Sequence, residues 1–435
     1  MIKIIAFFNV WFFSMVAIFS PKEEAKTNLD ENMPMCNTSM VESIEQWTKL
    51  PSSPVYSSVP SGTGTIAIDS TKAYTMPLLA QTPKGEILLS WTEKDEQGLT
   101  SFCLAFSKDK GKTFGDKKVI FSSKGIGNSR LMRAKVLAKK DGSLVALFTN
   151  RPDVPGGAPA GGRGGRTADL VYCLSKDAGT TWTSPQNVDS DPAKAMRGFF
   201  DAIVLPNDEI AVFYLKDVAN STKHEERDLR MVLSKNGVFQ PERLIDPVVC
   251  DCCNINLLVD ANGALHVYYR DNNDDIRDIA KITSTDNGVT FSKPQILHND
   301  GWKINGCPHS GAISSSYGKG ALVAWFSGAE SESGFRLVTQ EGKKLFVLSD
   351  ASVKNPWIMA GAKQAVMIWE QSQADSKNQL VFRKINGDKV SETVAVDGSV
   401  NALNSTGLML DNQLLLAHEV KGEKKNSLKI TTVAL

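Results

Sequence analysis

The stretches CDCCN at 250–254 and GCPHSG at 306–311 put four cysteines and a histidine where chemistry is possible. As disulfides, Cys250, Cys252, Cys253 and Cys307 form an even set, and one bridge would tie the two stretches together. A Cys252–Cys253 bridge would be strained, because adjacent α-carbons lie about 3.8 Å apart, below the usual disulfide range. As a metal or redox site, the same sulfurs with His309 would suit zinc or copper, although C-x-C-C matches no standard zinc spacing. Disulfide pairing is the leading expectation, free thiols are a third reading, and no metal or other cofactor is assigned. Cys103 and Cys173 stand singly in apolar runs and read as buried side chains.

A second set of residues is cationic. Arg130 and Arg133 lie in SRLMRAK, Arg197 and Asp201 in MRGFFDA, and Arg270 in YYRDNNDDIRD. Arg163 and Arg166 sit in a glycine-rich stretch that lacks the lysine pattern of a phosphate loop and reads as a flexible lid. Guanidinium groups hold carboxylates through paired hydrogen bonds, so this set points to an anionic ligand. Nucleic acid is the exception: 49 basic residues stand against 48 acidic ones, a net charge of +1, and no basic excess exists to displace counterions.

The elements that must position these residues repeat along the chain. A short apolar strand, a tight turn and a second apolar strand recur as LLAQTPKGEILLSW, VLAKKDGSLVALF, AIVLPNDEIAVFY and NLLVDANGALHVYY. AISSSYGKGALVAWF, IMAGAKQAVMIW and TGLMLDNQLLLAHE continue the series, making seven units. Three or four strands at a period of about 45–65 residues predict an all-β fold, a β-propeller of four-stranded blades. The count is seven blades, with the strand GTIAID at 64–69 closing the last one. Before it, residues 1–20 read as a signal peptide or signal anchor and 21–60 as a polar linker, leaving 61–435 as one propeller domain. The expected location is therefore periplasmic, secreted or membrane-anchored outside the cytoplasm, with membrane contact only if the first segment is retained.

In such a ring, inner-strand starts and the loops between second and third strands share one face and converge on a central funnel. Arg130, Arg133, Arg197, Asp201 and the CDCCN and GCPHSG stretches fall at strand starts; Arg163, Arg166 and the residues after Arg270 fall in the loops.

Three turns, SKDKGKTF at 107–114, SKDAGTTW at 175–182 and STDNGVTF at 284–291, follow third strands. Their aspartate can accept backbone N–H bonds, their glycine supplies a left-handed conformation and their aromatic can wedge between sheets, a structural role. The pattern S-x-D-x-G-x-T-[FW] resembles the Asp box, and YTMPLLAQTPKGEILLSWTE resembles the opening blade of the sialidase family. That family has six blades, the alternative to the count of seven. The resemblance implies an arginine cluster clamping an acidic sugar, an acid for the leaving oxygen, and a tyrosine nucleophile assisted by a carboxylate. The family's first-blade arginine is replaced by Thr75, and the loop EKDEQGLTS carries no arginine. The expectation is an exported hydrolase acting on an acidic or modified sugar of a glycoconjugate. Arg133, Arg197 and Arg270 would orient the substrate, Asp201 would be acid or base, and Tyr269 or its neighbour Tyr268 the nucleophile. Arg130, Arg163, Arg166, Asp251, Asn254, Trp302 and His309 would bind substrate. A non-catalytic glycan- or protein-binding propeller is the alternative, and a metal or redox site on Cys250–Cys253, Cys307 and His309 the second.

Overall fold

The computed structural model describes residues 56–151, 168–191, 197–218, 221, 226–361, 363–373 and 377–435, and every regular element among them is a strand. The expected signal segment, most of the linker, Arg163 and Arg166 lie outside the described residues, as does the side chain of Arg197. The strands form seven sheets, each built on four antiparallel strands, taken in chain order in all but the last. Their inner strands are Ala73–Gln81, Lys135–Ala138, Arg197–Val204, Asn256–Val259, Ile313–Tyr317, Val353–Ala360 and Ala402–Leu410, which define blades 1 to 7. The protein is thus a seven-bladed β-propeller, and the six-bladed alternative falls.

Each second strand is sandwiched between two neighbouring blades, so both of its faces are apolar. Ile87–Lys94 and Ile210–Asp217 are buried at every position but the last. These strands read as continuous apolar runs for the same reason that strands covered on both faces of any sheet do. Among the described residues the core divides into seven hydrophobic clusters, one at each interface between consecutive blades. The last of these joins blade 7 to blade 1, where Leu415 and Ile430 meet Leu89 and Trp91.

The ring closes through its N-terminal end. Ser61–Gly64 is the outermost strand of blade 7, paired antiparallel with Ile430 to Val433. The expected closing strand at 64–69 therefore sits about three residues too late, and the fold begins earlier than 61. Ser58–Val59 adds in parallel to the outer edge of blade 6, and Tyr56 packs on the cluster between blades 5 and 6.

The repeated turns tie blades together. In the first, Asp109 accepts the Thr113 N–H at 2.9 Å and the Ser107 hydroxyl at 2.7 Å, while Ser107 accepts the Gly111 N–H at 2.9 Å. The same bonds recur at Asp177 and Asp286. Hydrogen bonds from Thr113 hold the Asp109 carboxyl down at about 2. Phe114, Trp182 and Phe291 each pack into the interface with the preceding blade. Gly111 has φ +85°, and a Cβ there would lie 2.4 Å from Leu415 of blade 7.

Gly111→Ala is expected to cost about 2–4 kcal/mol, strain and overpacking together. Gly237→Ala, at φ +75° with nothing within 4 Å of its Cβ, should cost about 1 kcal/mol. Denaturant unfolding of the two variants tests the difference; equal losses would show that the turn does not press on blade 7.

Candidate funnel site

A local device recurs at the start of the inner strands. Blades 1, 3, 6 and 7 each carry a bulge there, with a left-handed residue inside it: Met76 (φ 52°), Phe199 (53°), Asn355 (48°) and Asn404 (52°). A bulge drops backbone groups out of the ladder, and those groups need other partners. Buried carboxylates supply two of them. Glu419 of blade 7 accepts the Met76 N–H of blade 1 at 2.8 Å, and Glu370 of blade 6 accepts the Asn404 N–H of blade 7 at 2.5 Å. Asn404 also donates its side-chain amide to Glu419 at 2.9 Å, linking the two acids. Burial outweighs these donors, pushing Glu370 up to about 7 and raising Glu419 as well.

The strand starts enclose a cavity of about 140 Å³ to which all seven blades contribute. Its charged lining comes from blades 2 and 3: Arg130, Arg133, Lys135 and Asp201. Arg130 is exposed. Arg133 is half-buried, donates to the Pro77 carbonyl at 3.0 Å and lies 5.6 Å from the Trp357 ring centre. Burial lowers its pKa to about 10, so it remains a cation at neutral pH. Asn254, predicted to contact substrate, also lines the cavity, though its amide spans blades by accepting the Gly311 N–H at 2.9 Å and donating to the Ala312 carbonyl at 3.1 Å.

Asp201 is held by three blades. It pairs with Lys135 of blade 2, accepts the Ala202 N–H at 2.8 Å and accepts the Leu257 N–H of blade 4 at 2.8 Å. Both oxygens are occupied by donors, so the side chain acts as a pin between sheets, not as a free acid. Thr75, at the arginine position of the resembled family, has its hydroxyl 2.7 Å from that of Thr92.

Five other expected site residues, and the alternative nucleophile Tyr268, lie away from the cavity. Arg270 is buried between blades 4 and 5 and donates to the carbonyls of Ser310 (2.6 and 2.9 Å), Phe326 (2.8 Å) and Arg277. Trp302 is stacked 5.0 Å beneath its guanidinium. Tyr269 faces blade 3 and donates to Asp246 at 2.5 Å, and Tyr268 faces blade 5. Burial raises both phenols. Alternation along a second strand sends its side chains to the two neighbouring blades, so neither tyrosine reaches the funnel. Asp251 is buried under Cys307, whose thiol donates to its two oxygens at 3.3 and 3.5 Å. Burial pushes Asp251 up to about 7. His309 is half-buried with φ 48° and is not part of the cavity lining. None of the chain's seven tyrosines lines the cavity.

The four cysteines come together, yet no sulfur–sulfur bond joins them. All six described cysteines are buried thiols. The Cys250 and Cys253 sulfurs are 3.7 Å apart, far beyond a disulfide bond of about 2.05 Å. The expected bridge from 250–253 to Cys307 is therefore replaced by a cluster in which Cys307 bonds to Asp251.

Sequence reasoning missed Lys135, Phe200, Trp357 and the acids Glu370 and Glu419. The acids carried a signal: WEQ and HEV end two second strands with a glutamate opposite the residue just before the bulge, where blade 1 has Thr92. A carboxylate closing an apolar run reads as the run's end unless the bulge that needs it is known.

No family model matches the chain, and no curated protein does. Among solved structures it is similar to a protein of unknown function from Dyadobacter fermentans, with 12% identity, 88% of this chain and 98% of that one covered, and a TM-score of 0.51. It is also similar to the Hadza microbial sialidase Hz136 (14% identity, TM-score 0.48) and to Trypanosoma rangeli sialidase bound to the inhibitor DANA (13%, 0.45). These two cover 83% and 87% of this chain, which spans 66% and 58% of their lengths. At such identities the likeness is one of fold alone.

Arg270→Met is expected to destabilise the protein by roughly 3–5 kcal/mol, because three buried carbonyls lose their donors at once. A change under 1 kcal/mol in denaturant unfolding would return Arg270 to the list of ligand contacts.

Proposed function

We propose that the propeller is an exported binding protein whose funnel captures a small anionic group, the carboxylate of an acidic sugar in a glycoconjugate, without cleaving it. The observation that carries this reading is the pairing of Arg130 and Arg133 on one wall of the cavity with no tyrosine in its lining. A carboxylate is the group that two neighbouring guanidiniums hold well. A cavity of about 140 Å³ takes that group rather than a whole drug-sized ligand, for which about 300–1,000 Å³ is usual. Export is inferred from the apolar run at 4–20 followed by PKEEAKT.

Hydrolysis by the sialidase scheme needs a nucleophile and an available acid within hydrogen-bond reach of the scissile oxygen. Among the described residues the one carboxylate lining the cavity, Asp201, has both oxygens engaged. This favours binding over turnover.

The test is a panel of sialosides and uronosides, scored for binding by calorimetry and for release of the sugar. Binding that weakens at least tenfold in Arg133→Ala, with no sugar released, supports the proposal. Release that disappears in Arg133→Ala would make the protein a glycosidase and overturn it.

The buried acid behind the cavity adds a pH dependence. Glu370 sits near 7 and is coupled electrostatically to Arg130. As pH rises through about 7 it gains a negative charge, which opposes a bound carboxylate. Affinity should therefore fall with rising pH, and Glu370→Gln should flatten the profile; an unchanged profile in that variant would exclude the coupling.

A further inference from the structure

The sulfur cluster lies outside the cavity, and the funnel reading does not use it. Cys250, Cys252 and Cys253 place their Sγ atoms within 4.8 Å of one another, and Cys252 also belongs to a second such group with Cys307 and Asp251. All four cysteines are at most 3% exposed. They sit where the end of blade 3 crosses to the start of blade 4, with Cys307 arriving from the chain that leads into blade 5.

Two observations point to an ion. The first is spacing. Sulfurs about 2.3 Å from a common d10 ion are about 3.8 Å apart in a tetrahedron and about 4.0 Å in a plane. The Cys250–Cys253 separation is 3.7 Å. The second is charge. Arg270 is 1% exposed, and among the described residues no carboxylate lies within ion-pair distance of it. Its hydrogen-bond partners among the described residues are carbonyl oxygens only. A buried cation needs a compensating anion. Cys253, which accepts the Ser310 N–H, lies within its field. A thiolate trio bearing an ion carries the net negative charge that Arg270 requires.

We propose that Cys250, Cys252 and Cys253 bind one thiophilic d10 cation, zinc or monovalent copper, with Cys307 and Asp251 forming the adjoining wall. Such ions select thiolate sulfur, and amide or guanidinium groups around the sulfurs tune the site. The ion would bind folded chain only, joining the junction of blades 3, 4 and 5, and so would add to stability by linkage.

The experiment uses the full chain, reduced and freed of metal by chelation, then titrated separately with zinc(II) and with copper(I). Uptake of one equivalent of either ion, with a rise in melting temperature, supports the site, and the preferred ion identifies the source. Cys253→Ser should weaken uptake at least tenfold, whereas Cys103→Ser, a buried cysteine in blade 1, should leave it unchanged. Because Cys253→Ser could unfold, cadmium(II) titration of the unaltered chain, read by its sulfur-to-metal absorption, serves as an independent measure. The proposal is overturned if the reduced chain takes up none of the three ions. It is equally overturned if the mass of the denatured, unreduced chain shows these cysteines bridged in pairs.

Discussion

A ring of sheets stands only if its last sheet meets its first, and in this protein that closure depends on how closely Gly64 can be approached. The residue ends the outermost strand of blade 7, opposite Ile430. A Cβ there would lie 2.5 Å from the Gly111 carbonyl and 2.6 Å from Ile430 Cγ2. Thr65 then donates its N–H to Lys112 and accepts that of Phe114, each at 2.8 Å, joining the same segment to the first Asp box of blade 1. A short stretch of chain is thus hydrogen-bonded to both sides of the seam. The closed ring leaves no long sheet edge open at this point, which is how propellers avoid pairing with other chains.

From that closure the rest of the architecture follows in layers. The apolar second strands fill the interfaces, the Asp boxes lock the outer ends, and the polar groups released by the inner-strand bulges are collected by side chains of adjoining blades. Glu419 and Glu370 do this for the bulges of blades 1 and 7, and Asp201 and Asn254 likewise accept N–H groups at the unbulged entries to blades 4 and 5. The wall of the funnel is built of inter-blade hydrogen bonds, and the cavity is what they leave over.

The fold was legible because its determinants are local. An Asp box writes its own hydrogen bonds within eight residues, and a sandwiched strand announces itself as an apolar run such as ILLSW or VMIW. The blade count followed from counting those runs, against the six blades of the resembled family. The site was legible only in part. Strand-start positions led to Arg130, Arg133, Asp201 and Asn254, all of which line the cavity. The same reasoning failed for Arg270, Tyr269, Trp302 and Asp251, because they lie on or beside strands whose side chains point sideways into neighbouring blades. Nothing in the order of residues tells a guanidinium that clamps three carbonyls from one that faces a ligand. The difference lies in a long-range partner, Ser310, some forty positions further on.

The misplaced arginine and the sulfur cluster are one problem seen from two sides. Burying Arg270 among carbonyls satisfies its hydrogen bonds but not its charge, and in a low-dielectric interior the two demands are separate. A purely apolar junction would have been simpler to pack, as Leu and Ile are at the other five interfaces. The junction of blades 3, 4 and 5 instead holds four thiols, Asp251, and two guanidiniums with almost no exposed surface. Neutral thiols would leave Arg270 uncompensated, whereas thiolates without an ion would repel one another across 3.7 Å. A bound cation removes both objections at once, since it draws the sulfurs together as anions and leaves a net negative charge beside Arg270 and Arg277.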